Sequence, residues 1–192
     1  RVAVAQLAPA SGSDVRGTVT FSEVEDGILV DAQVNGLSAG KHGFHVHENG
    51  DCSAPDASSA GGHFAPMNDP HGAPSDSASA RHVGDFGNIE ADESGLSEYQ
   101  RLDQVIAFEG ERSIIGKAVV IHEEEDDLVS QPSGDSGSRI ACGVIKPPPR
   151  DSIGDRLRVI HEEVSRSGVF LADRGGVGER HRVDRAEALA AL

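Results

Sequence analysis

The chain lacks several residue types on which other classes of protein depend. It has 192 residues but no Trp, one Tyr and one Met. No run of about 18 apolar residues occurs, so we expect no membrane-spanning segment. The chain instead has 23 Gly and 9 Pro, a composition that favours short strands joined by turns.

Basic residues are also scarce. The 17 Lys and Arg are outnumbered by 32 Asp and Glu, which gives a formal net charge of −15. Nucleic acids and anionic membrane surfaces both bind clustered Lys and Arg, so we exclude both as partners. The acidity itself indicates either ordinary solubility or adaptation to salt.

The charge is distributed unevenly along the chain. Residues 1–146 hold 9 Lys and Arg against 24 Asp and Glu, whereas residues 147–192 hold 8 of each. This split, together with three consecutive prolines at 147–149, predicts a folded domain over 1–146. Residues 147–192 would be a linker and C-terminal extension. Apolar residues at helical spacing predict a helix there over 152–165, and a second is predicted over 183–192.

Cysteine occurs twice, as Cys52 and Cys142. Two cysteines are compatible with one disulfide formed in an oxidising compartment, or with two buried thiols. The chain begins at Arg1 rather than Met, and we expect that a segment was removed. A cleaved signal peptide and an expressed fragment would begin in the same way. We expect export, to either the periplasm or the extracellular space.

Apolar residues alternate with polar ones along several short segments, as strands require. Residues 1–36 read as a meander, with Ile28, Val30, Ala32 and Val34 on one face. Further strands are predicted over residues 42–48, 83–89, 103–108, 115–122 and 139–145. About eight short strands with no interleaved helices predict an all-β sandwich or barrel.

Residues 49–81 differ from the predicted strands because they contain almost no large apolar side chain. A loop longer than about 15 residues is uncommon inside a compact domain and is usually functional or disordered. A hydrophobic core cannot order this one. We therefore expect a disulfide or a metal ion to hold it.

Histidine is abundant, with nine in the chain. His45 and His47 lie two residues apart on a predicted strand, so they share one face while Phe44 and Val46 share the other. The loop adds His63, His71, His82 and Asp85, four nitrogen and oxygen donors of the type and number that a closed zinc site requires. His122 ends a later strand. Solvated loop histidines are the alternative, but they would leave the order of the loop unexplained.

These motifs resemble the copper/zinc superoxide dismutases in order and spacing, over about residues 1–146. The matching segments are Gly43-Phe44-His45-Val46-His47-Glu48, Gly61-Gly62-His63-Phe64, His71-Gly72, His82-Val83-Gly84-Asp85 and Gly137-Ser138-Arg139-Ile140-Ala141-Cys142-Gly143-Val144-Ile145. The resemblance implies a Greek-key β-barrel of about eight antiparallel strands with long metal-binding and active-site loops. It also implies an oxidoreductase that converts superoxide to dioxygen and hydrogen peroxide.

The resemblance implies a role for each matching residue. Copper would be bound by His45, His47, His63 and His122, and zinc by His63, His71, His82 and Asp85. His63 would bridge the two ions and carry a proton during catalysis. Asp126 would accept hydrogen bonds from the outer nitrogens of His45 and His71. Arg139 would dock the superoxide anion, and Cys52 would form a disulfide with Cys142.

Two features are more typical of bacterial, exported members. Cys52 follows His47 by only five residues, and the loop 123–138 is short. That loop contains no Lys, so the steering lysine of eukaryotic members has no counterpart. The resemblance further implies a homodimer, with a monomer as the alternative.

Three competing functions follow from the same residues. A copper carrier would typically lack a copper ligand or the arginine, but His122 and Arg139 are present. A structural zinc sandwich would explain the loop donors but not the three further histidines. A zinc hydrolase would need a general base beside an open zinc position, and no candidate is evident.

Overall fold

The computed structural model describes residues 1–148, in which eight strands and one short 3-10 turn are formed. The strands are β1 (Val2–Pro9), β2 (Arg16–Val24), β3 (Gly27–Asn35), β4 (Gly40–His47), β5 (Asp85–Ala91), β6 (Ser97–Asp103), β7 (Ala118–His122) and β8 (Arg139–Lys146), and the turn is Ser58–Ala60. The predicted all-β fold is confirmed. The predicted extension over 147–192, with its helices, lies outside the described residues but for its first two positions.

One antiparallel sheet contains all eight strands, in the order β5-β4-β7-β8-β1-β2-β3-β6. The pairs β4–β7, β8–β1 and β3–β6 join strands that are distant in sequence, which creates the crossovers of a Greek-key barrel. The two end strands, β5 and β6, are not paired with each other. Side chains link them instead: Ser97 Oγ donates to Glu90 O at 2.5 Å, and Tyr99 Oη donates to Phe86 O at 3.1 Å.

The barrel interior is filled by aliphatic residues and a few aromatic rings. Phe44 is fully buried, with its ring centroid 5.2 Å from Phe86 and 5.0 Å from Tyr99. Val46 is buried on the same side of β4 as Phe44. The prediction that these two residues share a face is confirmed, and that face lies in the core.

One predicted strand was misplaced. Of the predicted strand 103–108, only Asp103 is in a strand; the rest forms bends and one isolated bridge, with the side chains of Ile106 and Phe108 buried in the core. The strand in this region is β6, whose buried or half-buried positions are Ser97, Tyr99, Arg101 and Asp103. Because polar groups point inward and Leu102 points outward, the hydrophobic alternation that normally marks a strand is missing. β7 also begins at Ala118, three residues later than predicted.

The long loop after β4 is attached to the outside of the barrel by a second apolar cluster. Ala57 and Ala60 of the loop pack there against Ala118, Val120 and Cys142. Cys52 and Cys142 form a disulfide with 5.7 Å between their Cα atoms, closing 90 residues. The predicted pairing is confirmed, and it joins the loop to β8. Within residues 1–148, no helix has the length and apolarity needed to cross a membrane.

Candidate metal centre

Strand β4 presents two histidines on its outer face. His45 and His47 alternate with Phe44 and Val46, which lie in the core, so the strand repeat alone places both imidazoles outside the barrel. They are nevertheless almost completely buried, with 0% and 1% of their surface exposed. The loops 49–84 and 123–138 supply the groups that contact them.

Four histidines converge on the first candidate site. His45, His47, His63 and His122 each offer a ring nitrogen, and these atoms all lie within 4.8 Å of one another. His47 Nδ1 lies 2.9 Å from Gly61 O, and His122 Nδ1 lies 3.1 Å from Gly137 O. A carbonyl oxygen only accepts hydrogen bonds, so each Nδ1 carries the proton and each Nε2 presents a lone pair. These two Nε2 atoms are 3.3 Å apart.

The other two histidines of this quartet have buried nitrogens without a protein partner. His45 Nε2 donates to Asp126 Oδ2 at 2.7 Å, which leaves its Nδ1 unpartnered. His63 Nε2 is likewise buried and unpartnered. A buried polar atom without a partner is costly. Four lone pairs from imidazole suit copper, so the quartet fits that ion.

A second quartet shares His63 with the first and adds His71, His82 and Asp85. Asp85 Oδ1 lies 3.0 Å from His63 Nδ1, 3.0 Å from His71 Nδ1 and 3.2 Å from His82 Nδ1. Ligands about 2.0–2.1 Å from a tetrahedral zinc ion are themselves separated by about 3.3 Å. The observed separations are close to this value, so three nitrogens and one carboxylate oxygen fit zinc.

His63 connects the two quartets. Its Nδ1 faces Asp85 and His82, at 3.0 Å and 3.4 Å, while its Nε2 faces the other histidines. The His63 ring centroid is 4.0 Å from that of His45. One imidazole can therefore offer a nitrogen to each ion, as the sequence predicts.

Asp126 forms a second connection between the quartets, on the side away from the ligand atoms. Its Oδ2 accepts from His45 Nε2 at 2.7 Å, and its Oδ1 accepts from His71 Nε2 at 2.9 Å. Both hydrogen bonds expected of Asp126 are thus present. They fix the tautomers of both rings, so that the Nδ1 atoms face the sites.

The side chain of Arg139 is held by carbonyls of the long loop. Its two terminal nitrogens donate to Ala57 O at 2.8 Å and Gly61 O at 2.6 Å. Gly61 O also accepts from His47, so the guanidinium is adjacent to the histidine quartet. A guanidinium has five N–H donors, so three are left for an anion.

Burial controls the protonation of the histidine quartet. It lowers the pKa of His45, His47 and His63, and it lowers the pKa of His122 to about 4. These rings are therefore neutral near pH 7, as metal ligands must be. Burial would also lower the pKa of His71, but hydrogen bonds with Asp126 and Asp85 raise it to about 9.

The two buried carboxyl groups behave in the opposite way. Burial would raise the pKa of Asp85, but hydrogen bonds from His63, His71 and His82 hold it well below its usual value. Burial likewise would raise the pKa of Asp126, and hydrogen bonds from His45 and His71 keep it low. Both side chains are ionised near neutral pH and can offset the charge of the two metal ions.

Some supporting residues were not found from the sequence. Arg81 is 1% exposed, with one terminal nitrogen donating to Asp85 O at 2.6 Å and the other to Asp103 Oδ2 at 2.6 Å. Asn88 holds the backbone of Asp126. An isolated Arg among the small residues of the loop was the available signal for Arg81, whereas nothing in the sequence indicated the contact of Asn88.

Three further polar residues lie outside the two quartets. His42 is buried, with Nδ1 3.0 Å from His122 O. Lys41 pairs with Glu125 at 3.0 Å, and Lys117 donates to Glu48 O at 2.9 Å.

Comparison with known proteins gives consistent results. The family model described as copper/zinc superoxide dismutase (SODC) matches residues 15–145. The Xenopus laevis Cu-Zn superoxide dismutase A is 45% identical over 143 residues, which are 71% of this chain and 92% of that protein. An extracellular Cu-Zn superoxide dismutase of Caenorhabditis elegans is 45% identical over 139 residues, 69% of this chain and 62% of that protein.

Two further matches agree with these. An extracellular Cu-Zn superoxide dismutase of Drosophila melanogaster is 45% identical over 141 residues, covering 69% of this chain and 76% of that protein. The crystal structure of the clock protein EA4 is similar with a TM-score of 0.69 and 42% identity, covering 76% of this chain and 93% of that one. The relatives named here are animal proteins, and the bacterial-like subtype stays a prediction.

Proposed function

The chain belongs to the copper/zinc superoxide dismutase family, and we propose that it converts two superoxide ions and two protons to dioxygen and hydrogen peroxide. Copper, when bound, would supply the redox chemistry by alternate reduction and reoxidation. The observation that carries the proposal is the sharing of His63 between two buried quartets, next to a fixed arginine. A copper carrier or a structural zinc site would require only part of this arrangement.

Each residue of the two quartets has a distinct task in this proposal. The set that would hold copper is His45, His47, His63 and His122, and the set that would hold zinc is His63, His71, His82 and Asp85. Zinc has no redox chemistry, so its task would be to order the loop and to hold His63 Nδ1. Asp126 would keep His45 and His71 in the tautomers that both sites need.

His63 is the residue suited to moving a proton. Its Nε2 is buried and has no protein partner, whereas its Nδ1 faces Asp85. A proton held at Nε2 would therefore lie on the side of the histidine quartet, where the second superoxide ion would be reduced if copper were bound there. From there His63 would donate it to the nascent peroxide, and solvent would supply the other proton.

Arg139 is suited to docking the anion. Ala57 O and Gly61 O fix its guanidinium, so little side-chain motion is lost when superoxide binds. The disulfide joins the loop that carries these carbonyls to β8, the strand that carries Arg139. A fixed positive charge also selects anions over neutral molecules.

The decisive experiment is a dismutation assay on the protein reconstituted with copper and zinc, compared with His122→Ala. We expect high activity in the wild type and background activity in the variant. Because His122 is outside the zinc quartet, His122→Ala should still bind one zinc ion per chain, which serves as its folding control. A wild type that binds both metals without dismutation would overturn the proposal and favour copper carriage.

We further propose that the protein is exported, to the periplasm or the extracellular space. The Cys52–Cys142 disulfide supports this, because disulfides persist in oxidising compartments. Two of the relatives are named as extracellular enzymes. Fractionation of the source cells would test the idea: activity retained in the cytosolic fraction would contradict it, and activity released by osmotic shock or found in the medium would separate the two locations.

We also propose a homodimer, which rests on the family resemblance alone. Light scattering on the eluted protein would give twice the 20.0 kDa of the chain for a dimer. A mass equal to that of the chain would show a monomer instead.

A further inference from the structure

The side chain of Gln131 holds the backbone of His71 from the opposite loop. His71 N donates to Gln131 Oε1 at 2.8 Å, and Gln131 Nε2 donates to His71 O at 2.8 Å. The same Nε2 also donates to Val129 O at 3.1 Å, which fixes the orientation of the amide within its own loop. One side chain therefore satisfies both backbone polar groups of a residue 60 positions away in sequence.

Apart from Gln131, the backbone at His71 is held by the next residue, since Gly72 N donates to Asp85 Oδ2 at 3.1 Å. His71 lies between Pro70 and Gly72, in a loop with little apolar surface to pack. Its ring is fixed through Asp126, which accepts from Nε2 at 2.9 Å. Asp126 and Gln131 both belong to the loop 123–138, so this loop holds the ring and the backbone of His71 together.

Gly134 of the same loop covers the hydrogen bond between His71 and Asp126. A Cβ atom at this position would lie 1.9 Å from Asp126 Oδ1 and 2.7 Å from His71 Nε2. Gly134 also has a φ of 68°, which disfavours other residues. The backbone of the loop therefore closes directly over the contact that fixes the His71 tautomer.

We propose that Gln131 is a positioning residue for the zinc quartet, acting through His71. Rotation of His71 about its backbone would turn Nδ1 away from Asp85 Oδ1, from which it is 3.0 Å. The two hydrogen bonds of Gln131 oppose that rotation. The short loop 123–138 thus controls how tightly, and in which geometry, the quartet binds its ion. This inference rests on the zinc site of the proposed function.

The test uses the full chain without copper, loaded with Zn²⁺ or Co²⁺ alone. The variant is Gln131→Met, which keeps the length of the side chain and removes its two hydrogen bonds to His71 and the one to Val129 O. Gln100→Met is the matched control, because Gln100 donates to Asp31 Oδ2 at 3.1 Å on the outer surface of the barrel. Zinc affinity is measured by competition with a chromophoric chelator, and the geometry of the site by the visible absorption of bound Co²⁺.

We expect Gln131→Met to raise the zinc dissociation constant about tenfold, at the lower end of the effects of residues behind metal ligands. Its cobalt spectrum should differ from that of the wild type. Gln100→Met should change neither quantity. The unfolding midpoint of the metal-free protein should fall more in Gln131→Met than in Gln100→Met, because the Gln131 variant loses hydrogen bonds to partly buried backbone groups. The positioning role is therefore judged from the cobalt spectrum.

The experiment distinguishes failure of the proposed zinc site from failure of the proposed role of Gln131. A wild type that binds neither ion at one per chain would overturn the proposed zinc site itself. Unchanged affinity in Gln131→Met, in a wild type that does bind zinc, would overturn only the role of Gln131. Weaker affinity with an unchanged cobalt spectrum would also overturn it, because a general loss of stability would not alter ligand geometry.

Discussion

Asn88 and Asp126 are joined by two hydrogen bonds that hold the backbone of Asp126 on both sides. Asn88 Nδ2 donates to Asp126 O at 2.9 Å, and Asp126 N donates to Asn88 Oδ1 at 2.7 Å. Asn88 belongs to β5, a strand of the barrel. The carboxylate that connects the two quartets is therefore anchored to the barrel and not only to its own loop.

Replacing Asn88 with Ala should release Asp126 from the barrel. Two hydrogen bonds to partly buried groups are lost, so we expect the free energy of unfolding to fall by about 1–3 kcal/mol. Zinc and copper affinities should fall as well, because the tautomers of His45 and His71 are no longer fixed. Urea unfolding and chelator competition would measure both effects. Asn35→Ala, at the exposed end of β3, is the control, and an equal response from both variants would contradict the prediction.

Arg139→Gln should impair substrate binding while leaving both metal ions in place. Loss of a charged hydrogen-bond donor costs about 1.5–3 kcal/mol, so kcat/KM should fall by about one to two orders of magnitude. Arg139→Lys keeps the charge but cannot contact both Ala57 O and Gly61 O, so its rate should be intermediate. Pulse radiolysis at matched copper content gives the rates. Wild-type kcat/KM in Arg139→Gln would show that the guanidinium does not dock the anion.

The dependence of kcat/KM on salt concentration should reflect the negative charge of the protein surface. The loop 123–138 has no basic residue, Lys41 is paired with Glu125, and residues 1–146 hold 24 acidic against 9 basic side chains. Raising the ionic strength from about 10 mM to about 150 mM shortens the screening length from about 30 Å to about 8 Å. This screens the distant acidic groups more than the nearby Arg139.

We therefore expect kcat/KM to rise by about twofold over that range of salt. In the double variant Glu124→Gln/Glu125→Gln, kcat/KM at the lowest ionic strength should be higher than in the wild type. Its increase with added salt should be smaller. A kcat/KM that falls as salt is added would contradict this prediction. It would show that, at long range, the positive charges at the site attract superoxide more strongly than the acidic surface repels it.

The buried pair of Arg81 and Asp103 gives a double-mutant test. Their side chains are 1% and 0% exposed, with 2.6 Å between the paired atoms. Arg81→Met removes the close partner of Asp103 and leaves it Arg101, whose Nε is 3.9 Å from Asp103 Oδ2. Loss of one partner of a buried pair costs about 3–5 kcal/mol. Arg81→Met/Asp103→Asn should be more stable than Arg81→Met alone. Chemical unfolding of the metal-free proteins provides the comparison. Equal stability of the single and the double variant would show that the Asp103 carboxylate does not destabilise the fold when Arg81 is absent.

Local patterns in the sequence predicted an all-β sandwich or barrel, whereas the convergence of the histidines was implied by the family resemblance. The strand repeat places His45 and His47 on one face, and the short motifs around His63, His71, His82 and His122 carry the family resemblance. The position of β6 was missed because Ser97, Tyr99 and Arg101 point inward where apolar residues were expected.

The contacts of Asn88 and Gln131 could not be predicted from the sequence for a different reason. An amide side chain that binds a backbone distant in sequence leaves no periodic signal. Gln131 meets His71 only after the loops 49–84 and 123–138 have folded against each other. Asn88 meets Asp126 only when β5 has entered the sheet.

The unpaired boundary between β5 and β6 determines where this barrel should exchange its amide protons fastest. The hydrogen bonds across that boundary come from the side chains of Ser97, Tyr99 and Arg81, so separating the two strands there breaks no backbone ladder. Protection should therefore be lowest along the facing edges of β5 and β6 and highest in β8 and β1, which lie in the middle of the sheet order. Because Asn88 lies on β5, the same local opening would loosen Asp126. The metal centre would therefore be sensitive to fluctuations at the boundary between β5 and β6.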